Sequence, residues 1–189
     1  MPPATGSRPA KMSQPAIRPA STHDARAIAA IYAHHVLHGT ATFDIVPRSI
    51  EDTMAMIEDC LARNWPFLVT ERDSAVTGYA YATQFRDRPA YAAACENSIY
   101  LHPDHMGQGL GKALLAALLV AAEQAGFRQM IAVAGGGEPA SVALHASLGF
   151  RDAGRMHAVG RKFGRWLDTV YMQIALGAGD SLPPDREPQ

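Results

Sequence analysis

The stretch of sequence that decides the fold is Cys95-Glu96-Asn97-Ser98-Ile99-Tyr100-Leu101-His102-Pro103-Asp104-His105-Met106-Gly107-Gln108-Gly109-Leu110-Gly111-Lys112. It predicts, in order, a β-strand, a sharp turn, a glycine-rich loop and the start of a helix. Glycines let the backbone come close to a ligand, and the first turn of a helix directs unpaired N–H groups and a partial positive charge toward an anion. The stretch therefore predicts an anion-binding loop, with Glu96 on the preceding strand as a candidate base.

Hydrophobic periodicity in the rest of the chain predicts one α/β domain over residues 15–176. The elements follow the order β-α-α-β-β-β-α-β-α-β-β, which is typical of a mixed sheet with helices on its faces. The last two strands flank a predicted turn at residues 160–166. Residues 1–14 and 177–189 are rich in Pro and Gly, and we expect both segments to be mobile tails.

Composition excludes several classes of function. The chain has 189 residues, 48% of them apolar and 19% charged, which suits one globular domain, and its net charge of −1 provides no basic surface for nucleic acid. Residues 1–14 have no apolar core segment, so we do not expect them to be a signal peptide, and no apolar run approaches the ~20 residues of a membrane helix. The two cysteines, Cys60 and Cys95, are too few for a disulfide framework and fit a reducing cytoplasm. We expect a cytoplasmic protein that binds neither nucleic acid nor membrane.

The glycine loop fits neither of the two commonest nucleotide-binding patterns. In the dinucleotide fingerprint G-x-G-x-x-G the third glycine would follow one residue later than Gly111 does. A P-loop needs Ser or Thr after its lysine to hold Mg²⁺, and Ala113 follows Lys112. The histidines of residues 34–38 also lack the Glu of the zinc-protease pattern, so we expect no metal. The remaining interpretation is a pyrophosphate held by backbone amides without a metal.

Residues Met106-Gly107-Gln108-Gly109-Leu110-Gly111 resemble the CoA-binding signature Gln/Arg-x-x-Gly-x-Gly/Ala of the GNAT acyltransferases. Further segments resemble the phosphinothricin N-acetyltransferase branch of that family: Tyr79-Ala80-Tyr81-Ala82, the loop from Phe85 to Tyr91, Glu96-x-Ser98-Ile99-Tyr100, Ser141-Val142-Ala143-Leu144-His145-x-x-Leu148-Gly149-Phe150, and Lys162-Phe163-Gly164-Arg165-Trp166-Leu167-Asp168. The resemblance implies a twisted, mostly antiparallel sheet with helices on both faces, acetyl-CoA as co-substrate, and a homodimer.

The resemblance also implies a set of cofactor-binding residues: Ile99, Tyr100, Leu101, Met106, Gly107, Gln108, Gly109, Leu110, Gly111 and Glu138. Two of them depart from the family pattern. Met106 stands where the family usually has Arg or Gln, which removes a side-chain contact but leaves the backbone amide. Glu138 stands where related sequences tend to carry Asn, and a carboxylate near an anionic cofactor is unfavourable unless it points away.

Acetyl transfer to an amine needs a base, because the acceptor is protonated in neutral water and attacks only through its free lone pair. Strand alternation places Glu96, Ser98 and Tyr100 on one face, and Glu96 is the only carboxylate on this strand. A backbone N–H among residues 99–101 is the natural donor to the oxyanion. His145 matches the position where many GNAT enzymes place an acidic tyrosine that protonates the departing thiolate. A histidine that only packs at a helix–sheet boundary is the alternative.

On the acceptor side the resemblance places Phe43, Arg86, Arg88 and Tyr91. Two arginines suit a substrate with a carboxylate or phosphinate group, although arginines on a polar loop more often face solvent. The sequence thus predicts an N-acetyltransferase for a small acidic, amino-acid-like amine such as phosphinothricin or methionine sulfoximine, acting by direct attack. The alternatives are an acetyltransferase for protein N-termini or another amine, and a non-catalytic acyl-CoA sensor.

Overall fold

A seven-stranded sheet runs through the protein, for which the computed structural model describes residues 15–184. The strands are β1 (Ala16–Pro19), β2 (Phe67–Arg72), β3 (Ala75–Gln84), β4 (Ala94–Leu101), β5 (Gln129–Gly135), β6 (Arg151–Lys162) and β7 (Arg165–Ala175). Their spatial order is β1-β2-β3-β4-β5-β7-β6, and every neighbouring pair except β4–β5 is antiparallel. The predicted element order and the mostly antiparallel sheet are confirmed.

Four helices cover the two faces of this sheet: α1 (Ala25–His38), α2 (Ile50–Ala62), α3 (Leu110–Gln124) and α4 (Pro139–Ala146). The core on the α1–α2 face includes Ile28 and Ile57. The core on the α3 face includes Leu114, Leu118 and Met130, all with 0% exposure. Full burial of one such side chain stabilises the fold by about 1.5–3 kcal/mol, which explains why the very apolar sequence of α3 lies against the sheet.

The parallel strands β4 and β5 separate toward their carboxyl ends. Their pairing covers Ala94 to Asn97 of β4, and the last pair is Asn97 with Ala132. Beyond this point β4 continues beside β3 and β5 continues beside β7. The carboxyl ends of parallel strands are where open α/β sheets bind ligands, and here a cleft opens at that end.

Two helix starts and one helix end agree with their sequence signals. The Asp24 carboxylate accepts a hydrogen bond from the Ser21 N–H at 2.8 Å before α1, and Ser49 Oγ accepts from the Asp52 N–H at 3.0 Å at the start of α2. Gly126, just beyond the end of α3, adopts φ +95° in the left-handed region.

The predicted turn at residues 160–166 was too wide. Strand β6 extends to Lys162 and β7 begins at Arg165, so that Phe163 and Gly164 alone form the turn, with φ +51° and +74°. Two consecutive positive φ angles suit the right-handed twist of a tight hairpin, and this lets the strands stay paired further.

Residues 177–184 form turns in which Pro183 O accepts a hydrogen bond from Arg128 Nη2 at 3.4 Å. The remainder of the two predicted tails, residues 1–14 and 185–189, lies outside the described residues. Within residues 15–184, no helix has the length and apolar character needed to cross a membrane.

Candidate active site

The glycine loop lies between β4 and α3, at the open end of the cleft. Gly107 has φ +72° and Gly109, the N-cap of α3, has φ +80°, a conformation that side-chain-bearing residues rarely adopt. A Cβ atom added to either glycine would have no other atom within 4 Å, so the space above the loop is open. Exposed backbone amides at a helix start and free space for a ligand fit the predicted pyrophosphate site.

Gly111 has a different role from the two preceding glycines. A Cβ atom on Gly111 would lie 3.4 Å from methyl carbons of Leu101 and Leu144. The first turn of α3 is therefore packed closely between the end of β4 and helix α4. This contact holds the loop at the mouth of the cleft.

Glu96 lies on the α1–α2 face of β4, as strand alternation predicts. Tyr100 lies four residues further along β4, on the same face as Glu96. Its ring centroid is 5.2 Å from that of Tyr32 and 5.3 Å from that of His35, and both of these residues belong to α1. The Glu96 side chain is 33% exposed, and its Oε2 lies 4.0 Å from Arg86 Nη1. Burial raises the pKa of this carboxyl, and the Arg86 charge acts in the opposite direction. A raised pKa brings a carboxylate closer to the range of an effective general base.

His145 is buried on the opposite face, where both of its ring nitrogens have partners. Nδ1 lies 2.7 Å from the Ser141 carbonyl oxygen, so Nδ1 carries the proton and donates it. Nε2 lies 3.0 Å from Asn97 Nδ2 and accepts from that amide. Burial lowers the pKa of His145, which favours the neutral ring. This geometry agrees with the packing alternative, and the general-acid role stays a prediction.

Three of the four predicted acceptor-side residues line one cavity of about 450 Å³: Arg86, Arg88 and Tyr91, together with Asp87. The Gln84 side-chain amide shapes this loop by donating to the carbonyl oxygens of Arg86 at 2.7 Å and Arg88 at 3.0 Å. Both arginines are exposed. Because Arg86 also lies beside Glu96, the cavity adjoins the candidate base.

Phe43, the fourth predicted residue, is not among those lining this cavity. Its ring packs on the backbone of Gly160 in β6, where an added Cβ atom would come within 2.4 Å of Phe43 Cε2. The segment that carries Phe43 is a loop without strand pairing. Phe43 therefore lies on the α1–α2 loop, against the β6–β7 hairpin.

The Glu138 carboxylate is directed toward the loop after α1, where it accepts a hydrogen bond from the Thr40 hydroxyl. Gly135 and Gly136 permit this approach, because a Cβ atom on either would lie within 3.0 Å of Thr40 or Ala41. The Glu138 carboxylate, which would be unfavourable near an anionic cofactor, is thus hydrogen-bonded to the Thr40 hydroxyl. A contact between Glu138 and the cofactor stays a prediction.

Sequence reasoning missed the residues that tie α1 and the α1–α2 loop to the sheet. His35 Nε2 donates to the Leu101 carbonyl oxygen at 2.8 Å, and the buried Lys162 ammonium donates to the Thr42 carbonyl oxygen at 2.9 Å. These contacts join residues 66 and 120 positions apart, so no local pattern could have indicated them. They fix α1 to the end of β4 and the α1–α2 loop to the end of β6.

Comparison with known proteins agrees with this geometry. The model of the acetyltransferase (GNAT) domain family matches residues 17–171. The chain belongs to the GNAT acetyltransferase family. It is 47% identical over 170 residues to the phosphinothricin N-acetyltransferase of Alcaligenes faecalis, which covers 89% of this chain and 86% of that protein. It is 39% identical over 160 residues to the L-methionine sulfoximine/L-methionine sulfone acetyltransferase of Salmonella typhimurium, covering 85% and 94%.

Solved structures of GNAT acetyltransferases also match this chain. The crystal structure of a phosphinothricin acetyltransferase from Sinorhizobium meliloti, in complex with acetyl-CoA, matches with a TM-score of 0.89 and 44% identity over 91% of this chain and 94% of that one. The fold class and the membership of an acetyltransferase family predicted from the sequence are confirmed. In this GNAT domain the glycine loop follows the carboxyl end of β4, the loop that carries Arg86 and Arg88 precedes the amino end of β4, and Glu96 lies on the strand between them.

Proposed function

We propose that this GNAT acetyltransferase transfers the acetyl group of acetyl-CoA to the amine of a small acidic, amino-acid-like molecule of the phosphinothricin or methionine sulfoximine type. The names of the two relatives support this acceptor class. The observation that carries the proposal is the arginine cavity beside the candidate base, with Arg86 Nη1 4.0 Å from Glu96 Oε2. An acceptor whose acid group binds the arginines would hold its amine within reach of Glu96.

Acetyl-CoA supplies the activated acyl group as a thioester. The backbone amides at Gly107, Gly109 and the first turn of α3 would hold its pyrophosphate. Beyond Asn97, β4 has no β5 partner on that side, and this edge can hydrogen-bond the pantetheine arm like an added strand. The likeness to a structure solved with acetyl-CoA supports this placement.

In the proposed reaction Glu96 takes a proton from the ammonium group of the acceptor, directly or through a water. The free amine attacks the thioester carbonyl carbon, so that a C–N bond forms. A backbone N–H among residues 99–101 stabilises the oxyanion. The C–S bond then breaks, and the second proton that the nitrogen loses as it becomes an amide passes, directly or through water, to the departing CoA thiolate.

Direct attack, rather than a covalent acyl-enzyme, is favoured by the state of the cysteine nearest to the base. Cys95 is 0% exposed, and burial raises the pKa of its thiol to about 12. A buried, protonated thiol is a poor nucleophile. The other cysteine, Cys60, is also buried, and burial raises the pKa of its thiol to about 11.

Arg86→Ala and Arg88→Ala are each expected to raise KM for an acidic acceptor about 10-fold or more, because a hydrogen bond to a charged group contributes about 1.5–3 kcal/mol. The measurement is release of free CoA thiol with phosphinothricin, methionine sulfoximine and a panel of amino acids. Arg63→Ala is the matched control, since Arg63 is similarly exposed just after the end of α2 and pairs with Asp59 at 2.8 Å.

Three results would contradict parts of the proposal. Turnover of peptide N-termini but not of these acids would favour the protein N-terminal acetyltransferase. Acetyl-CoA binding without turnover of any acceptor would favour the acyl-CoA sensor. Unchanged KM in both arginine variants would remove the arginine cavity from acceptor recognition.

We also propose a cytoplasmic homodimer. Strand β6 lies at the edge of the sheet, and its hairpin with β7 exposes Met156, Val159, Phe163 and Trp166. An apolar edge strand of this kind needs a cover to avoid uncontrolled pairing. Light scattering is expected to report twice the chain mass of 20.3 kDa, and a mass of one chain would contradict the dimer. Cell fractionation tests the location.

A further inference from the structure

The first position of the glycine loop carries no charge. Met106 stands there, and its side chain is 53% exposed and apolar. In the family pattern this position usually holds Arg or Gln, so the pyrophosphate site of this chain lacks one side-chain donor. Any replacement for this side-chain donor must come from another element.

Strand β2 brings an arginine to the loop. Arg72 Nη1 donates to Gln108 Oε1 at 2.7 Å, although the two residues are 36 positions apart. Gln108 Nε2 in turn donates to the Asp104 carbonyl oxygen at 3.0 Å. The Arg72 guanidinium is therefore held against the loop between Gly107 and Gly109. Its partner is a neutral amide, so this bond leaves the positive charge uncompensated.

Sheet register explains why Arg72 reaches this place. Arg72 pairs with Ala75 next to the β2–β3 turn, and Gly78 pairs with Leu101 at the end of β4. The β2–β3 turn therefore extends past the end of β4, at the same end of the sheet as the glycine loop. The His102 N–H donates to the Thr77 carbonyl oxygen at 2.9 Å and fixes the start of the loop to β3.

Arg72 also has unused hydrogen-bonding capacity. Among residues 15–184 its two terminal nitrogens make a single hydrogen bond, from Nη1 to Gln108, whereas the unpartnered Nε is buried and closed to a ligand. A guanidinium has five N–H donors in a planar fork that matches phosphate oxygens. A guanidinium that pairs with no carboxylate among residues 15–184, fixed beside an open anion loop, is the arrangement that a phosphate would complete.

We propose that Arg72 binds the pyrophosphate of CoA and replaces, from β2, the side-chain donor that Met106 removes from the loop. Gln108 is the positioning residue that holds Arg72 in place. This inference rests on the proposed acetyl-CoA binding and adds a cofactor-binding residue that lies outside the signature. It explains how the loop retains affinity with methionine at its first position.

The test is calorimetric titration of the protein with CoA, without acceptor. Arg72→Gln is expected to raise the Kd for CoA about 10-fold or more, and to weaken its dependence on salt, because one charge-assisted contact is lost. Arg63→Gln, which removes a charge just after the end of α2, is expected to leave the Kd unchanged. Gln108→Ala is expected to raise the Kd by a smaller factor, since Arg72 stays charged but is no longer fixed.

Met106→Arg in the Arg72→Gln background is expected to restore most of the affinity, because it returns a cation to the loop. In the parent background the same change is expected to have a smaller effect, and this non-additivity is the sign that both residues serve one phosphate group. A merely structural role for Arg72 would not be rescued by an arginine on a different element. Thermal unfolding of each variant shows whether it folds.

Dephospho-CoA, which lacks the 3′-phosphate, identifies the group that is bound. The loss in Arg72→Gln is expected to be as large with dephospho-CoA as with CoA. Equal CoA affinities of parent and Arg72→Gln, or a loss that disappears with dephospho-CoA, would overturn the assignment. A parent protein that does not bind CoA at all would instead contradict the proposed function.

Discussion

Glu96→Gln is expected to lower kcat by about 10²- to 10⁴-fold, the usual contribution of a positioned general base. Glutamine has nearly the same shape as glutamate but cannot take the acceptor proton. Steady-state thiol release measures the loss, and titration with acetyl-CoA is expected to show an unchanged Kd, because Glu96 faces the α1–α2 side whereas the glycine loop lies beyond the end of β4. Glu58→Gln on the exposed face of α2 is the control.

The pH dependence of kcat/KM provides a second readout of the same base. Burial raises the pKa of Glu96, so the acidic limb of the profile is expected above the ordinary range of a glutamate, with activity gained as pH rises through that pKa. Arg86 stabilises the carboxylate, and Arg86→Ala is therefore expected to move this limb to higher pH. Retention of kcat in Glu96→Gln, or a limb that does not move in Arg86→Ala, would exclude Glu96 as the base.

Gly109→Val is expected to raise the Kd for acetyl-CoA about 100-fold. At φ +80° a β-branched residue is strained, and its side chain would project into the open space where the pyrophosphate is proposed to bind. Loss of one or two hydrogen bonds to a charged group, each worth about 1.5–3 kcal/mol, accounts for an effect of this size. Calorimetric titration with acetyl-CoA measures it.

Gly126→Val is the matched control for this loop variant. Gly126 also has a positive φ, +95°, and an added Cβ atom there would meet nothing within 4 Å, but it lies at the other end of α3. Both variants are expected to lose about 1–2 kcal/mol of stability through backbone strain, while Gly126→Val alone keeps its affinity for acetyl-CoA. Equal affinities in the two variants would show that the loop does not bind the cofactor.

Most of the fold could be predicted because its signals are local. The alternation of β4, the apolar sequence of α3 and the capping residues at Ser21 and Ser49 all act within a few positions of the chain, and the structure agrees with each. The hairpin turn after β6 was drawn too wide because the positive φ angles of Phe163 and Gly164, which permit a two-residue turn, depend on the pairing of both strands.

The candidate site also contains features that the sequence indicated and features that depend on tertiary contacts. Glu96 and the glycine loop belong to one continuous stretch, so the sequence alone could place a candidate base on β4 and a candidate anion site beyond the carboxyl end of the same strand. The state of His145 could not be predicted, because it depends on Asn97, 48 positions away on a different element. The resemblance to the family indicated the residue, and only the packing of α4 on β4 engages its ring nitrogens with Ser141 and Asn97.

The sequence by itself determined the order of the backbone elements at the candidate site: a strand that carries a carboxylate, a glycine loop and a helix start whose N–H groups suit an anion. Side-chain partners were decided by the tertiary structure, because Arg72 and Gln108, His35 and Leu101, and Lys162 and Thr42 meet only when distant elements pack. Periodicity tells which face a side chain occupies. It does not tell which side chain of another element will lie opposite, and at this loop that partner is an arginine from β2.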